Sequence, residues 1–220
     1  MANLAAANKF TPDHLQTAEL QAALKQARIY YSSGFFLTVS PPAFQAIAEH
    51  AVSEEGKAAK KIVALNLAAP FICQFFSEPL LAAIAVSDYV FGNESEAEAF
   101  AQQQKLEKTD AETVALHLAS LPRKDASRAP RIAVVTQGAG QTVVAVNGTV
   151  TKFDVPALAK ESIVDANGAG DAFVGGFLAM IAQGKDIAAA VKAGHYAART
   201  ILQVSGTALP KTAPDAAALA

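Results

Sequence analysis

The chain has 220 residues, with 18 Lys and Arg against 20 Asp and Glu, 52% hydrophobic residues and one cysteine. That length and apolar content suffice for a sizeable core, and 17% charged residues excludes general disorder. A formal net charge of −2 without any Lys/Arg-dense stretch leaves no electrostatic footprint for nucleic acid or an acidic membrane, so small molecules are the expected partners.

The uncharged run 62–77 contains Asn66, Pro70 and Gln74 and is too short to cross a bilayer. Cys73 has no partner for a disulfide, and His14, His50, His117 and His195 show no metal-ligand spacing, so a reducing, cytoplasmic setting is expected.

In chain order, Leu20, Ala23, Leu24 and Ala27 fall at helical spacing, and Ile29 to Tyr31, then Phe35 to Val39, read as strand. Ser40 is placed to cap the next helix, Pro41 suits its first turn, and Phe44, Ile47, Ala48 and Ala51 form its buried stripe. Lys61 to Leu67 is a near-continuous apolar strand, followed by a helical stretch to Val86. A strand at Asp88 to Phe91, helices at Asn93 to Gln104 and Ala111 to Leu121, and a buried strand at Arg131 to Thr136 continue the alternation.

This order implies βαβ units: an α/β fold with a mostly parallel central sheet, helices on both faces, and ligand sites at the carboxyl ends of the strands. Thr142 to Val146 and Thr149 to Phe153, joined by Asn147-Gly148, break the rhythm as a β-hairpin with a type I′ turn. One domain is expected over 1–212, with the Ala-rich 213–220 as a frayed tail. At the front, the helical run Leu4-Ala5-Ala6-Ala7 starts without a cap or turn, which raises the expectation of an upstream segment.

The most informative segment is Asp165-Ala166-Asn167-Gly168-Ala169-Gly170-Asp171, a small-residue turn opening an apolar helix that runs to about Gln183. Side chains this small let successive N–H groups point at one spot at the positive end of a helix dipole, which suits an anion. Asp171 in the first turn is placed to take a proton from a hydroxyl beside that anion, the combination phosphoryl transfer requires. Spacing alone gives equal weight to a structural role, with Asn167 capping the helix, Asp171 complementing its dipole and the glycines allowing close packing. A dinucleotide-binding fingerprint fits poorly, because the third glycine is missing at its required place.

Asp165 to Phe177 resembles the second signature of the ribokinase-type carbohydrate kinases. Gly34 to Pro41, Phe91 to Ala97 and Ala193 to Ala198 resemble the adenosine kinases among them, and the likeness runs over nearly the whole chain. It implies a Rossmann-like three-layer fold, ATP as cosubstrate, Mg²⁺ as metal, and transfer of the γ-phosphoryl to the 5′-hydroxyl of adenosine. The product would be AMP, made in purine salvage by a monomer.

Carried over residue by residue, the resemblance makes Asp171 the base and Asn167, Gly168, Ala169 and Gly170 the anion hole. Asn93 and Glu96 match an Asn-x-x-Glu motif whose Glu holds Mg²⁺ largely through water, although the same spacing is also a helix capping box. Thr136, Gln137 and Gly138 resemble a nucleotide loop, and His195 falls where the family lines the adenine side of the ATP pocket. Phe36 resembles an aromatic stacking on the acceptor adenine, with Leu4 as apolar partner opposite; Phe35 and Phe36 on one strand would face opposite ways. Position 166 departs from the family, which usually has Thr where this chain has Ala166.

The family's N-terminal portion, with its lid sheet, Gly-Gly turn, ribose-gripping acid and phosphate-contacting Arg, has no counterpart, so a crippled enzyme is expected. The alternatives are a non-catalytic nucleotide-binding fragment and, more remotely, another sugar kinase of the same fold.

Overall fold

The computed structural model describes residues 6–208. Two compact units are present, one formed by residues up to 135 together with 143–151, the other by 136–142 and the chain from 152 onward. The Leu4 and 213–220 expectations lie outside the described residues.

In the first unit, α1 (Ala18–Gln26) leads into β1 (Ile29–Ser33), and α2 (Pro41–Val52) and α3 (Glu54–Ala58) carry the chain to β2 (Ile62–Asn66). Helices α4 (Pro70–Phe75) and α5 (Ser77–Val86) precede β3 (Tyr89–Asn93), and α6 (Glu94–Gln103) and α7 (Ala111–Ser120) precede β4 (Ile132–Gln137). Strand β1 pairs in parallel with β2 from Ile29 opposite Ile62 to Ser33 opposite Asn66, and β2 with β3 from Ala64 opposite Tyr89 to Asn66 opposite Phe91. Strands whose helical crossovers cover both faces bury both faces, which is why Val63, Ala64 and Leu65 run unbroken and are all buried. Val63 and Leu65 meet Phe44, Ala48 and Ala51 of α2, Leu80 and Ile84 of α5, and Val114 and Leu118 of α7 in one core.

Strands β5 (Gly140–Val146) and β6 (Thr149–Phe153) complete a six-stranded sheet of order β1-β2-β3-β4-β5-β6. The expected hairpin is present, with Asn147 at φ 49° and Gly148 at φ 75° as a type I′ turn needs. It extends further than the sequence suggests, because β4 and β5 are themselves joined through only Gly138 and Ala139, giving a three-stranded meander.

One element differs in kind. The expected strand at Phe35 to Val39 is a 3₁₀ helix, Gly34–Thr38. Local hydrogen bonds decide it: the Phe35 N–H donates to Ser33 Oγ at 3.4 Å and Thr38 Oγ1 donates to the Phe35 carbonyl at 2.8 Å. A short apolar run carries no period that separates strand from helix. Ser40 does occupy the N-cap position of α2, but its side chain makes no cap bond.

Two buried cations close helix ends. Lys61 Nζ donates to the carbonyls of Leu24, Lys25 and Ala27 at 2.6–3.0 Å, sealing the C-terminus of α1. Arg131, fully buried, donates to the carbonyls of Ser87, Leu118, Leu121 and Pro122, and burial followed by the charge of Arg123 pushes its pKa down to about 10.

The second unit is built on two long helices, α8 (Ala169–Ala182) and α9 (Ile187–Leu202). Phe173, Val174, Phe177 and Leu178 of α8 and Ala190, Val191, Ala193 and Ile201 of α9 are buried. A side chain at Gly194 would put a Cβ 2.7 Å from the Phe173 ring, so this close crossing depends on glycine.

Candidate functional site

In the second unit the chain enters α8 through Gly168, which sits at φ 78°, ψ −3° as its N-cap with no side-chain cap bond. Glycine tolerates that left-handed conformation, and the first helical bond runs from the Ala172 N–H to the Gly168 carbonyl at 2.8 Å. The N–H groups of Gly170 and Asp171, second and third in the helix, have no carbonyl four residues back to bond within it. Asp171 is exposed in the same first turn. Asn167 therefore does not cap the helix; its own N–H donates to Asp165 Oδ1 at 2.9 Å.

Asp165 ties the turn down from below. Its second oxygen accepts the Gly206 N–H at 3.2 Å, and these two backbone donors hold its carboxyl below the ordinary carboxylate range. A Cβ at position 168 would meet Thr207 Cγ2 at 2.7 Å, so residues 206–207 sit directly beneath the turn.

The expected nucleotide loop is the end of β4 and its tight turn: Thr136 and Gln137 are the last strand residues and Gly138 turns at φ 55°. Gln137 Nε2 donates to the Gln141 carbonyl at 2.7 Å across that turn. His195 is 8% exposed, its Nε2 lies 2.8 Å from Thr142 Oγ1, and its ring packs on Phe173 with centroids 5.6 Å apart. Burial holds its pKa below the ordinary histidine value.

In the first unit, Asn93 and Glu96 form a complete capping box at the start of α6. The Glu96 N–H donates to Asn93 Oδ1 at 2.9 Å; in return Glu96 Oε2 accepts the Asn93 N–H at 3.0 Å and Oε1 accepts Asn93 Nδ2 at 2.8 Å. Glu96 is buried, and its charge, after burial itself, helps push the Cys73 thiol up to about 12, so that cysteine is inert.

The 3₁₀ helix sends Phe35 and Phe36 to different neighbours. Phe36 meets Phe10 edge-on at 5.5 Å and lines a cleft of about 270 Å³ with Tyr30, Tyr31, Ser33, Phe44 and Ile47. Phe35 packs at 5.9 Å on Phe71, which is itself 40% exposed.

The sequence matches the pfkB family carbohydrate kinases over residues 1–214. The chain belongs to that family.

This pfkB-family chain is 44% identical over 215 residues to adenosine kinase 1 of Arabidopsis thaliana, covering 98% of itself and 60% of the relative. It is 41% identical to the adenosine kinase of Schizosaccharomyces pombe, covering 94% of itself and 59% of the relative. The crystal structure of Anopheles gambiae adenosine kinase in complex with P1,P4-di(adenosine-5) tetraphosphate superimposes with a TM-score of 0.86 at 41% identity, over 93% of this chain and 59% of that one. The chain thus spans about 60% of the length of the curated relatives it matches.

Of three further features of this pfkB-family chain, two escape a reading of its sequence. Thr142 faces His195 from a strand 53 residues earlier, a pairing no local pattern announces. Asp165 anchors the turn through Gly206, 41 residues on. Phe71 and Phe75 follow Pro70 at helical i, i+4 spacing and are both exposed, the one signal here that the sequence did offer.

Proposed function

We propose that this chain is the ATP-handling part of an adenosine kinase, which moves the γ-phosphoryl of ATP to the 5′-hydroxyl of adenosine. The observation that carries the reading is the left-handed entry at Gly168 into α8, with first-turn N–H groups and the Asp171 carboxylate together at one helix start, in a chain 44% identical to adenosine kinase 1 of Arabidopsis thaliana. In this reading the turn Asn167, Gly168, Ala169 and Gly170 forms the cradle: the Asn167 N–H stays with Asp165 and fixes the turn, and the first-turn N–H groups of α8 neutralise charge growing on the transferring phosphoryl. Asp171, exposed beside it, accepts the proton of the acceptor hydroxyl. Thr136, Gln137, Gly138 and His195 serve ATP, and Phe36, with Leu4, serves the adenine of adenosine.

Mg²⁺ supplies charge neutralisation between phosphate oxygens when bound. The donor set suits it through Glu96, a hard carboxylate held in place by Asn93, whose own Oδ1 already accepts the Glu96 N–H and Ser95 Oγ. A carboxylate acting through water suits an ion that keeps its waters and takes substrate phosphates as ligands.

The test pairs equilibrium ATP binding with adenosine-dependent ADP release, in this chain and in Asp171→Asn. The substitution keeps shape and hydrogen bonding but removes the base, so any release falls about 10²- to 10⁴-fold while ATP binding persists. Undiminished release would remove Asp171 from its role. ATP binding without release from the parent chain would favour a nucleotide-binding fragment, and absence of ATP binding would overturn the reading.

A further inference from the structure

We infer that His195 is a positioning residue, acting through Thr142 to hold the Gly138–Ala139 turn and the first turns of α8 as one unit before nucleotide arrives. The inference rests on the ATP-handling reading above and gives the histidine a task other than lining a pocket. Its imidazole is buried, and Nε2 is engaged by Thr142 Oγ1 at 2.8 Å. Thr142 is buried on β5, three residues beyond the turn. The imidazole also packs against Phe173, which lies on α8 two residues after Asp171. The neighbouring Gly194 presses so closely on Phe173 that a Cβ there would approach the Phe173 carbonyl to 2.9 Å as well as its ring to 2.7 Å. A continuous packed path therefore runs from the strand leaving the turn, through one imidazole, to the helix start that bears the carboxylate.

Interiors this closely packed transmit displacement instead of absorbing it. If the turn and the helix start are already ordered together, nucleotide binding does not have to order them, and affinity gains by that amount. A single hydrogen bond sets the scale, so its loss should weaken ATP about 2- to 13-fold.

The probe is ATP, measured by calorimetry on the 220-residue chain carrying Thr142→Val, His195→Leu, His195→Gln, or the Val and Leu changes together. Each of the first two should weaken ATP within that range, and the pair should be no worse than either, because both remove one interaction. His195→Gln keeps an amide donor for Thr142 and should recover most of the loss, which a purely space-filling role does not predict. Without nucleotide, amide exchange should quicken in residues 138–142 and 169–173 together in Thr142→Val and His195→Leu, leaving 133–135 unchanged. Additive effects, parental ATP affinity in Thr142→Val, or exchange that quickens in one segment alone would overturn the inference. Failure of the parent chain to bind ATP would instead fall on the proposed function, since the exchange measurement judges the coupling without any ligand.

Discussion

Glu96→Gln changes one atom of the α6 capping box and no bond length of consequence, yet the geometry makes it costly. The carboxylate accepts two N–H groups from one residue, the Asn93 backbone at 3.0 Å and the Asn93 side-chain amide at 2.8 Å. A glutamine has a single oxygen, so whichever way its amide turns, its NH₂ faces a donor. Asn93 cannot answer by flipping, because its Oδ1 already accepts the Glu96 N–H at 2.9 Å and Ser95 Oγ at 2.7 Å. One charge-assisted bond is lost in a buried position, which costs about 2–3 kcal/mol. At about 2–4 °C per kcal/mol for a chain of this size, the melting temperature should fall about 4–12 °C by scanning calorimetry. Adding Asn93→Asp exchanges donor for acceptor across the same contact, and the double variant should recover at least half of the loss. A melting temperature within about 1 °C of the parent in Glu96→Gln alone would refute the reasoning. The same proteins, assayed for ATP affinity against Mg²⁺ concentration, separate the cap from the metal role. A raised Mg²⁺ requirement in both variants, stable and unstable alike, belongs to the lost charge at position 96.

Further outcomes are expected elsewhere in the chain. Gly168→Ala places a Cβ on a residue at φ 78° and 2.7 Å from Thr207 Cγ2, so it should cost at least about 1–2 kcal/mol in urea titration and weaken ATP; unchanged affinity would show that the turn does not bind it. Arg131→Leu strips the donor from four carbonyls at about 1–3 kcal/mol each, so a loss of about 3 kcal/mol or more is expected, and one below about 1 kcal/mol would contradict it. Burial lowers the pKa of both His117 and His195, so between their folded values and the unfolded value near 6.5 the unfolded state binds more protons. Their contribution is complete above 6.5 and is lost as pH falls below it; melting temperature should drop from about pH 7.5 to about pH 5.5, and less steeply in His195→Gln. An identical slope in that variant would remove His195 from the account.

How much of this was legible depends on the range over which each feature is encoded. The strands from Lys61 to Thr136 and the helices after Asn93 were readable to within a residue or two, because a buried strand or an amphipathic helix repeats its signal at each turn of the chain, whereas the one helical stretch expected to Val86 is two helices that meet at Phe76. Asn147-Gly148 was equally legible, since a two-residue turn needs positive φ at both positions. Phe35 to Val39 failed because five residues without a period leave the choice to local hydrogen bonds from Ser33 and Thr38. The two roles open at Asn93 and Glu96 were both visible as spacing, but only atomic positions reveal that the box is closed on both sides.

By itself, then, the sequence determined the α/β alternation, the small-residue turn before α8, the place of Asp171 in its first turn and the capping spacing at α6. These are set by interactions within a few residues. The tertiary structure decided what that local code leaves open: that Asp165 anchors the turn on Gly206, that His195 is buried between Thr142 and Phe173, and that Phe35 and Phe36 part to separate neighbours. Each of the first two bonds joins residues 41 to 53 positions apart. Side chains so distant in sequence meet only once the sheet and helices have packed, and no periodicity along the chain records which of them will.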